Sequence, residues 1–270
     1  MFSTRLVRTA AVCVVLAAGA TACAGDGKPA AKAPAAAPAS PSASPVQTLD
    51  TEKLSGDEIM KQAHTAMSAL TALKLDGSIT TDGQKITMHL AADKAGNCKG
   101  TVAVGGEGQV EILHNGTGTW IKPDAAFWKK IGSEKANPKA GAAAAELFKG
   151  RYLTGGQDDT EIKQIAGMCD LIKGITQGGD DPDTKVTKGS AGTTNGVKTF
   201  SLVGTDPDGS RTTAYIATQG KPYLVRMEQT TGSEPGRMDF SEFDKPITVQ
   251  APPADEVIDF TLFKEKLKTA

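Results

Sequence analysis

Hydrophobic and polar residues alternate along much of the chain after residue 72, which is the pattern of half-buried β-strands. The first two alternating runs are separated by Asp82-Gly83, a dipeptide typical of tight hairpin turns. Counting outward from that turn predicts the pairs Leu75–Leu90, Gly77–Met88 and Ile79–Ile86. All the large apolar residues then lie on one side, so the pattern predicts an antiparallel sheet with one apolar face.

Three later dipeptides predict further hairpins: Asn115-Gly116, Asn195-Gly196 and Gln219-Gly220. The expected pairs are Val110–Ile121 with Ile112–Thr119, Gly189–Leu202 with Ala191–Phe200, and Ala214–Val225 with Ile216–Tyr223. The register of the first of these places Trp120 on the polar face, beside Glu111. Two more alternating runs, around Met238–Phe240 and Ile247–Val249, predict strands near the C-terminus.

Helical spacing of apolar residues occurs between and around these strands. A capping box at Ser55–Glu58 predicts a helix that runs to about Ala69. Asp124 caps a short segment that contains Phe127 and Trp128. Further helices are predicted over about Gly141–Lys149, Thr160–Lys173 and Asp259–Lys268.

Together these elements predict an α+β fold: an antiparallel sheet of about 10–11 strands with one apolar face, and helices that are available to cover it. Seven apolar residues of these strands and helices are predicted to face the covered apolar side: Val102, Ile112, Ile165, Met168, Ile172, Val225 and Met227. Four small residues also face inward: Gly77, Gly100, Gly189 and Ala191. Either they leave room for a ligand, or they permit strong curvature of the sheet.

The N-terminus has the features of a bacterial lipoprotein signal peptide. Arg5 and Arg8 form a basic region, and the apolar stretch Ala10–Ala18 is too short to span a bilayer. Small residues then precede Cys23, as in a lipobox, except that Ala20 stands where Leu is usual. The pattern predicts cleavage before Cys23 and diacylation of its thiol. The alternative is an ordinary secretory signal that leaves Cys23 as a free thiol.

A second low-complexity segment follows the predicted cleavage site. Residues 24–46 are almost only Ala, Pro, Ser, Gly and Lys, a composition that cannot bury enough apolar surface to fold. Its prolines keep it extended, so it is predicted to act as a tether. The predicted organisation is a signal peptide at 1–22, a lipid-anchored tether at 23–48 and a folded domain at 49–270. The chain would then lie on the extracytoplasmic side of the cell membrane.

Charge and cysteine content limit the function further. The chain has 30 Lys+Arg and 31 Asp+Glu, and removal of the signal leaves 28 basic against 31 acidic residues. This balance excludes a typical nucleic-acid-binding protein. Cys13 lies in the predicted signal, so Cys98 and Cys169 remain in the domain. In an oxidising compartment the pair favours a disulfide, which would stabilise the fold by about 3–4 kcal/mol. The alternative is two buried thiols.

The sequence shows no familiar catalytic or metal-binding motif. The sequence contains no GxSxG, HExxH or P-loop motif. His64, His89 and His114 are isolated from one another and are interpreted as surface residues. The acidic segment Asp206–Gly209 begins like a calcium loop but lacks the later ligands, so it is interpreted as a turn. The sequence therefore predicts no enzyme, no metal site and no cofactor.

The order of the predicted elements and the residue patterns of several segments resemble the LppX/LprAFG lipoproteins of actinobacteria and, more distantly, the LolA/LolB lipoprotein carriers. The resemblance covers about Gly56–Ile258, and its most similar parts are Cys23, the helix before LKLDGSIT, VEILHNGTGTWIKPDAAFWKKIG, KPYLVRMEQ and FSEFDKPITVQAPP. It implies a half-open barrel with a hydrophobic cavity between sheet and helices. It also implies that the chain binds and carries acylated lipids or glycolipids in the cell envelope.

Two functional hypotheses follow. In the first, the domain binds an acylated lipid or glycolipid against its concave face, and carriage of that lipid follows from the resemblance. The seven inward apolar residues, from Val102 to Met227, are the predicted contacts of this ligand. In the second, the chain is an envelope sensor or scaffold with a filled core. It would then contact a protein partner through an apolar patch near Trp120 or Trp128.

Overall fold

The structure, a computed structural model, describes residues 48–134, 138–155, 167–170, 174–175, 183–232 and 234–262. The helices are α1 Gly56–Ser68, α2 Ala125–Glu134 and α3 Pro138–Leu147. The strands are β1 Ala72–Thr81, β2 Gln84–Asp93, β3 Cys98–Val104, β4 Gly108–Asn115, β5 Gly118–Pro123, β6 Tyr152–Thr154, β7 Lys185–Thr194, β8 Val197–Thr205, β9 Arg211–Ala217, β10 Leu224–Thr231, β11 Gly236–Ser241 and β12 Val257–Asp259. None of the helices in these described ranges is long and apolar enough to cross a membrane.

Helix α1 begins at the predicted capping box. The Ser55 N–H donates to the Glu58 carboxylate at 2.7 Å, and the Glu58 N–H donates to the Ser55 hydroxyl at 3.2 Å. Both bonds satisfy amides that the first turn leaves free. Ile59, Ala63 and Met67 follow at intervals of four and are buried, so one stripe of the helix packs against the sheet.

The strands form one sheet in the order β12-β6-β5-β4-β3-β2-β1-β11-β10-β9-β8-β7. Neighbours are antiparallel except for β12 and β6, which are parallel. Strand β11 pairs with β1 at the centre, and this pairing joins the early strands to the late ones. The two edges do not meet, so the sheet is curved and unclosed, and the predicted α+β half-barrel is confirmed. The short strands β6 and β12 bring the number of strands to twelve.

The predicted β1–β2 register is confirmed, with Ile79 opposite Ile86 and Leu75 opposite Leu90. The predicted register at Asn115-Gly116 is wrong by two residues. Asn115 pairs with Gly118, because the side-chain oxygen of Asn115 accepts hydrogen bonds from the N–H groups of Thr117 and Gly118. The turn is therefore one residue later than predicted, which shifts each pair by two residues. Ile112 therefore faces Ile121, Val110 faces Pro123, and Trp120 faces Leu113 rather than Glu111.

Two β-bulges change the registers that were predicted for the second half. Ala191 lies opposite Phe200 as predicted, but an irregularity after Lys188 places that lysine, not Gly189, opposite Leu202. A second irregularity between Leu224 and Arg226 pairs Leu224 with Ile216 and Met227 with Ala214. The predicted pairs Ile216–Tyr223 and Ala214–Val225 are therefore wrong. The pairing is already displaced by one residue at Ile216, and the residue inserted after Leu224 displaces it by one more at Ala214.

The C-terminal predictions also need correction. Residues 245–253 form no strand. Instead, this segment is hydrogen-bonded to the sheet: Lys99 Nζ donates to the carbonyl of Thr248 at 3.2 Å, and Asn115 Nδ2 donates to the carbonyl of Val249 at 3.4 Å. Residues 257–259 form β12, and a helical turn follows at 260–262. The rest of the predicted last helix and most of the predicted helix at 160–173 lie outside the described residues.

The inner face of the sheet carries two buried clusters. One lies under α1 and contains Leu49, Ile59, Ala63, Phe200, Leu202, Ala214 and Ile216. The larger cluster lies over β1–β6 and includes Leu73, Leu75, Met88, Leu90, Val102, Ile112, Trp128 and Phe148. The alternating positions predicted to be apolar on β1–β4 all lie on this face, so the predicted core of the first half is confirmed.

Candidate functional site

Burial of the inner face decreases from one end of the sheet to the other. At the end where β1 begins, the inward side chains of Leu73, Leu75 and Leu90 are each about 1% exposed. At the opposite end, where β1 meets β2, the inward Ile79 and Ile86 are only half-buried. The apolar face is therefore closed at one end and partly open at the other.

The open end forms a continuous apolar patch across five neighbouring strands. Ile79 pairs with Ile86, and Ile86 pairs with Val104. On the other side of β1, Met238 pairs with Gly77 and with Met227. We call this set the rim patch: Ile79, Ile86, Val104, Met227 and Met238. Four of its members are half-buried, and Met227 is 39% exposed.

The residues predicted to contact a ligand occupy different environments. Val102 and Ile112 are 4% and 0% exposed, so they belong to the filled part of the core. Val225 is also buried, and it lies at the bulge of β10. Met227 lies in the rim patch. Ile165, Ile172 and the proposed lipid anchor Cys23 lie outside the described residues.

Cys98 and Cys169 form a disulfide, with 5.8 Å between their Cα atoms. Cys98 begins β3 on the inner face, and Cys169 lies in the short 3-10 turn Met168–Asp170. The bond therefore fixes this turn over the larger cluster, where the half-buried Met168 also packs. The role of Met168 as a ligand contact stays a prediction.

The small inward residues do not leave space beside the sheet. A Cβ atom at Gly77 would lie 2.1 Å from the carbonyl oxygen of Arg237, and one at Gly100 would lie 1.9 Å from that of His89. At Gly189 it would lie 2.3 Å from the hydroxyl of Ser201, and Ala191 is exposed. Neighbouring strands occupy the positions of the absent side chains at Gly77 and Gly100, so these glycines permit curvature of the sheet.

An aromatic cluster lies beside the rim patch. Helix α2 crosses the inner face next to Gly108, which pairs with Val104 of the patch and approaches the backbone of Phe127. The ring of Trp128 lies 4.9 Å from that of Phe148 and 6.4 Å from that of Phe260, measured between centroids. Trp128 itself is only 8% exposed, and the predicted apolar patch near Trp120 or Trp128 stays a prediction.

Charged groups near the centre of the sheet lie on its outer face. His89 Nδ1 lies 2.8 Å from Asp76 Oδ1, and both residues alternate with the inward apolar positions. On β10 and β11, Arg226 Nε donates to Asp239 at 2.6 Å. Burial alone would raise the pKa of Asp239. Its hydrogen bonds, of which that from Arg226 has the largest effect, outweigh burial, so the pKa lies below its usual value. The two faces thus differ sharply in polarity.

Hydrogen bonds of Asp244 stabilise the closed end of the sheet. Asp244 accepts hydrogen bonds from the N–H of Thr71 at 2.8 Å and from the Tyr223 hydroxyl at 2.8 Å. Its backbone N–H donates to the carbonyl of Ala72. These bonds, first that from the Thr71 N–H, lower the pKa of Asp244 from 3.8 to about 2. Asp244 thus links the start of β1 to the start of β10, which belongs to the second half of the chain.

Most of the rim patch was not predicted to be a site from the sequence. Ile79, Ile86 and Met238 were assigned to the inner face, but periodicity shows only which side a residue faces. Their partial exposure depends on how far the helices reach along the sheet. Trp128 was placed in a helix, but its position among phenylalanine rings that come from distant parts of the chain has no sequence signal.

Comparison with known proteins gives likenesses to solved structures. No protein-family model matches the chain, and no curated protein matches it. The lipoprotein LppX from Mycobacterium tuberculosis is 16% identical, with 71% of this chain and 96% of that one covered and a TM-score of 0.44. LprF from Mycobacterium bovis is 13% identical, with 74% and 97% covered and a TM-score of 0.48. A LolA superfamily protein from Nitrosomonas europaea is 10% identical, with 75% and 96% covered and a TM-score of 0.23. The similar solved structures thus include two lipoproteins of the group that the sequence was predicted to resemble.

Proposed function

We propose that this chain is a cell-envelope lipoprotein, anchored through Cys23, that binds the acyl chain of a lipid or glycolipid against the rim patch. The observation that carries the proposal is the partly open apolar end of the inner face, where Met227 is 39% exposed. Apolar side chains that remain in contact with water on an inward-facing surface favour an apolar ligand.

The energetics suit an acyl chain. Each methylene group that leaves water contributes about 0.8 kcal/mol, so several methylenes offset the cost of immobilising a flexible chain. The patch continues into the buried cluster over β1–β6, and the outer face carries the charged side chains. A lipid bound at the rim patch would have its tail towards the core and its head group towards solvent.

The test uses the mature chain, residues 23–270 with Cys23→Ser, and cis-parinaric acid, a naturally fluorescent fatty acid. We expect saturable binding, and Met227→Gln should weaken it by about fivefold, because a polar group replaces apolar contact area. Val197→Gln is the matched control, since Val197 is 38% exposed on the hairpin between β7 and β8. It should leave the affinity unchanged.

Native mass spectrometry of the same preparation supplies an independent measurement. We expect an extractable acylated molecule that is retained by wild type and reduced in Met227→Gln. Absence of both probe binding and bound lipid would contradict the proposal. If a single protein were then recovered with the chain in stoichiometric amount, the alternative of a sensor or scaffold would replace it.

A further inference from the structure

The polarity of the inner face changes where the rim patch ends. Strands β1 and β2 each continue beyond the patch by one inward position. On β1 this position is Thr81, two residues after Ile79. On β2 it is Gln84, two residues before Ile86. Thr81 and Gln84 pair with each other, so a hydroxyl and an amide border the apolar side chains at this corner.

The same change occurs on the strands from the second half of the chain. The inward position beyond Met227 on β10 is Gln229, and Gln229 pairs with Thr212 of β9. We call this set the polar lip: Thr81, Gln84, Thr212 and Gln229. Gln84 is exposed and the other three are half-buried. All four side chains are uncharged, so the border of the rim patch is polar but neutral.

Much of the hydrogen-bonding capacity of the polar lip is unused within the described part of the chain. The side chains of Thr81, Thr212 and Gln229 make no hydrogen bond to another described residue. Gln84 Nε2 donates to the carboxylate of Glu107 at 2.7 Å, which leaves Gln84 Oε1 as an acceptor. Hydroxyl and amide groups both donate and accept, so the polar lip can bind the hydroxyls of a ligand.

The charges beside the polar lip do not favour an anion. Lys130 Nζ of α2 lies 3.0 Å from the carboxylate of Glu107, so this ammonium already has an acidic partner. Asp82 adds a second carboxylate in the turn between β1 and β2. Lys85 and Arg211 alternate with inward positions and therefore lie on the outer face. A phosphate at the polar lip would be repelled by these carboxylates, whereas a hydroxyl would not.

We infer that the polar lip binds the head group of the lipid and favours an uncharged, hydroxylated head group over a phosphate. This inference rests on the proposed lipid-binding function and adds a head-group site to it. The acyl chain lies along the rim patch, and the head group lies at the open end of the sheet, where Gln84 is exposed. The rim patch supplies most of the affinity, and the polar lip determines which head group is accepted.

The experiment compares three palmitoyl esters that differ only in the head group. Methyl palmitate has no hydroxyl, 1-palmitoylglycerol has two, and 1-palmitoylglycerol 3-phosphate carries a phosphate in place of one of them. Each lipid displaces the uncharged methyl ester of cis-parinaric acid from residues 23–270 with Cys23→Ser. We expect 1-palmitoylglycerol to bind about three- to tenfold more tightly than methyl palmitate, as one hydrogen bond would give. The phosphate should bind about fivefold more weakly than 1-palmitoylglycerol.

Substitution of the two glutamines tests the polar lip directly. Gln84→Leu and Gln229→Leu should each lower the preference for 1-palmitoylglycerol over methyl palmitate by about threefold, because an amide is lost. The affinity for methyl palmitate should not fall, which also reports that the variants are folded. Gln109→Leu is the matched control. Gln109 lies at the same open end of the sheet but on its outer face, so this variant should keep the full preference.

A second variant tests the charge and leaves the polar lip intact. Glu107→Gln should raise the affinity for 1-palmitoylglycerol 3-phosphate by about fivefold, because a carboxylate is removed and the ammonium of Lys130 loses this partner. The affinity for 1-palmitoylglycerol should stay the same. Glu111→Gln is the matched control, since Glu111 lies 2.7 Å from Lys122 Nζ on the outer face. A phosphate affinity that does not change in Glu107→Gln, or a hydroxyl preference that survives in both glutamine variants, would overturn the inference.

The outcomes also separate this inference from the function on which it rests. If none of the three lipids displaces the probe from wild type, the proposed lipid-binding function is wrong, and the head-group site is wrong with it. If all three bind equally well, or the phosphate binds most tightly, lipid binding stands and only the role of the polar lip is wrong.

Discussion

Asp244 shows how one side chain can connect distant parts of the chain. Its carboxylate binds Thr71, which is 173 positions away in the sequence, and the Tyr223 hydroxyl at the start of β10. The backbone of Asp244 is in the left-handed region, with φ of 59°. Asp and Asn adopt this conformation more readily than most other residues, which favours them at this corner.

We expect Asp244→Asn to lower the free energy of unfolding at neutral pH by about 1 kcal/mol. Asparagine tolerates the same backbone conformation but loses the charge that strengthens the hydrogen bonds. The folded-state pKa of Asp244, about 2, is below its ordinary value of 3.8. Its stabilising contribution is therefore present above about pH 4 and is lost as the pH falls towards 2.

Urea unfolding of both proteins between about pH 2 and 7 measures this effect. The difference between wild type and Asp244→Asn should narrow as the pH falls through the range between the two pKa values. Asp82→Asn is the control, because asparagine suits the tight turn between β1 and β2 equally well. A difference that stays constant with pH would show that Asp244 acts through shape and not through its charge.

At the scale of the element, the sequence predicted strands better than it predicted their pairing. The β1–β2 register was correct because Asp82-Gly83 forms the two residues of the turn. At Asn115 the side chain makes hydrogen bonds within the turn, and these bonds move the turn by one residue. The shift depends on geometry rather than on residue type. The bulges after Lys188 and Leu224 have no periodic signal either, so pairs beyond them were displaced.

The inward glycines are a second feature of the elements that the sequence left open. A side chain at Gly77 would collide with the backbone of β11, where the Arg237 oxygen would be 2.1 Å away. We expect Gly77→Ala to destabilise the domain by about 3 kcal/mol, at the upper end for overpacking, because backbone atoms cannot rotate aside. Gly116→Ala, in an open turn, is the matched control.

Thermal and urea unfolding of these two variants distinguish the interpretations of the glycines. A large loss of stability in Gly77→Ala with little change in Gly116→Ala would support a role in curvature. A Gly77→Ala variant that is as stable as wild type but binds cis-parinaric acid more weakly would contradict it. That result would instead mean that Gly77 leaves space for the ligand.

At the scale of the whole molecule, strand order and partial exposure were the features that local patterns could not predict. The pairing of β1 with β11 places Met238 beside Gly77, and β10 then adds Met227. Only this long-range arrangement makes one patch from residues that are about 150 positions apart in the sequence, a separation that periodicity cannot detect. The apolar face was predictable from alternation, whereas its closed and open ends depend on where the helices lie.

The predicted position of the chain at a membrane depends on Cys23, the predicted lipidation site. We expect wild type expressed in an actinobacterial host to remain in the membrane fraction and to incorporate an alkyne-labelled palmitate. Cys23→Ser should lose the label, because serine lacks the thiol that is acylated. Cys13→Ser is the matched control, since Cys13 lies in the apolar stretch of the predicted signal.

The same pair of variants tests the link between anchor and ligand. A diacylated cysteine would provide two chains, enough for stable attachment, and the predicted tether of 23–48 would keep the domain close to the bilayer. Wild type and Cys13→Ser should therefore meet membrane lipids at high local concentration and be isolated with more bound lipid than Cys23→Ser. Label on Cys23→Ser, or none on wild type, would exclude the predicted anchor. Equal amounts of bound lipid in all three would show that the domain acquires its ligand without being held at the membrane.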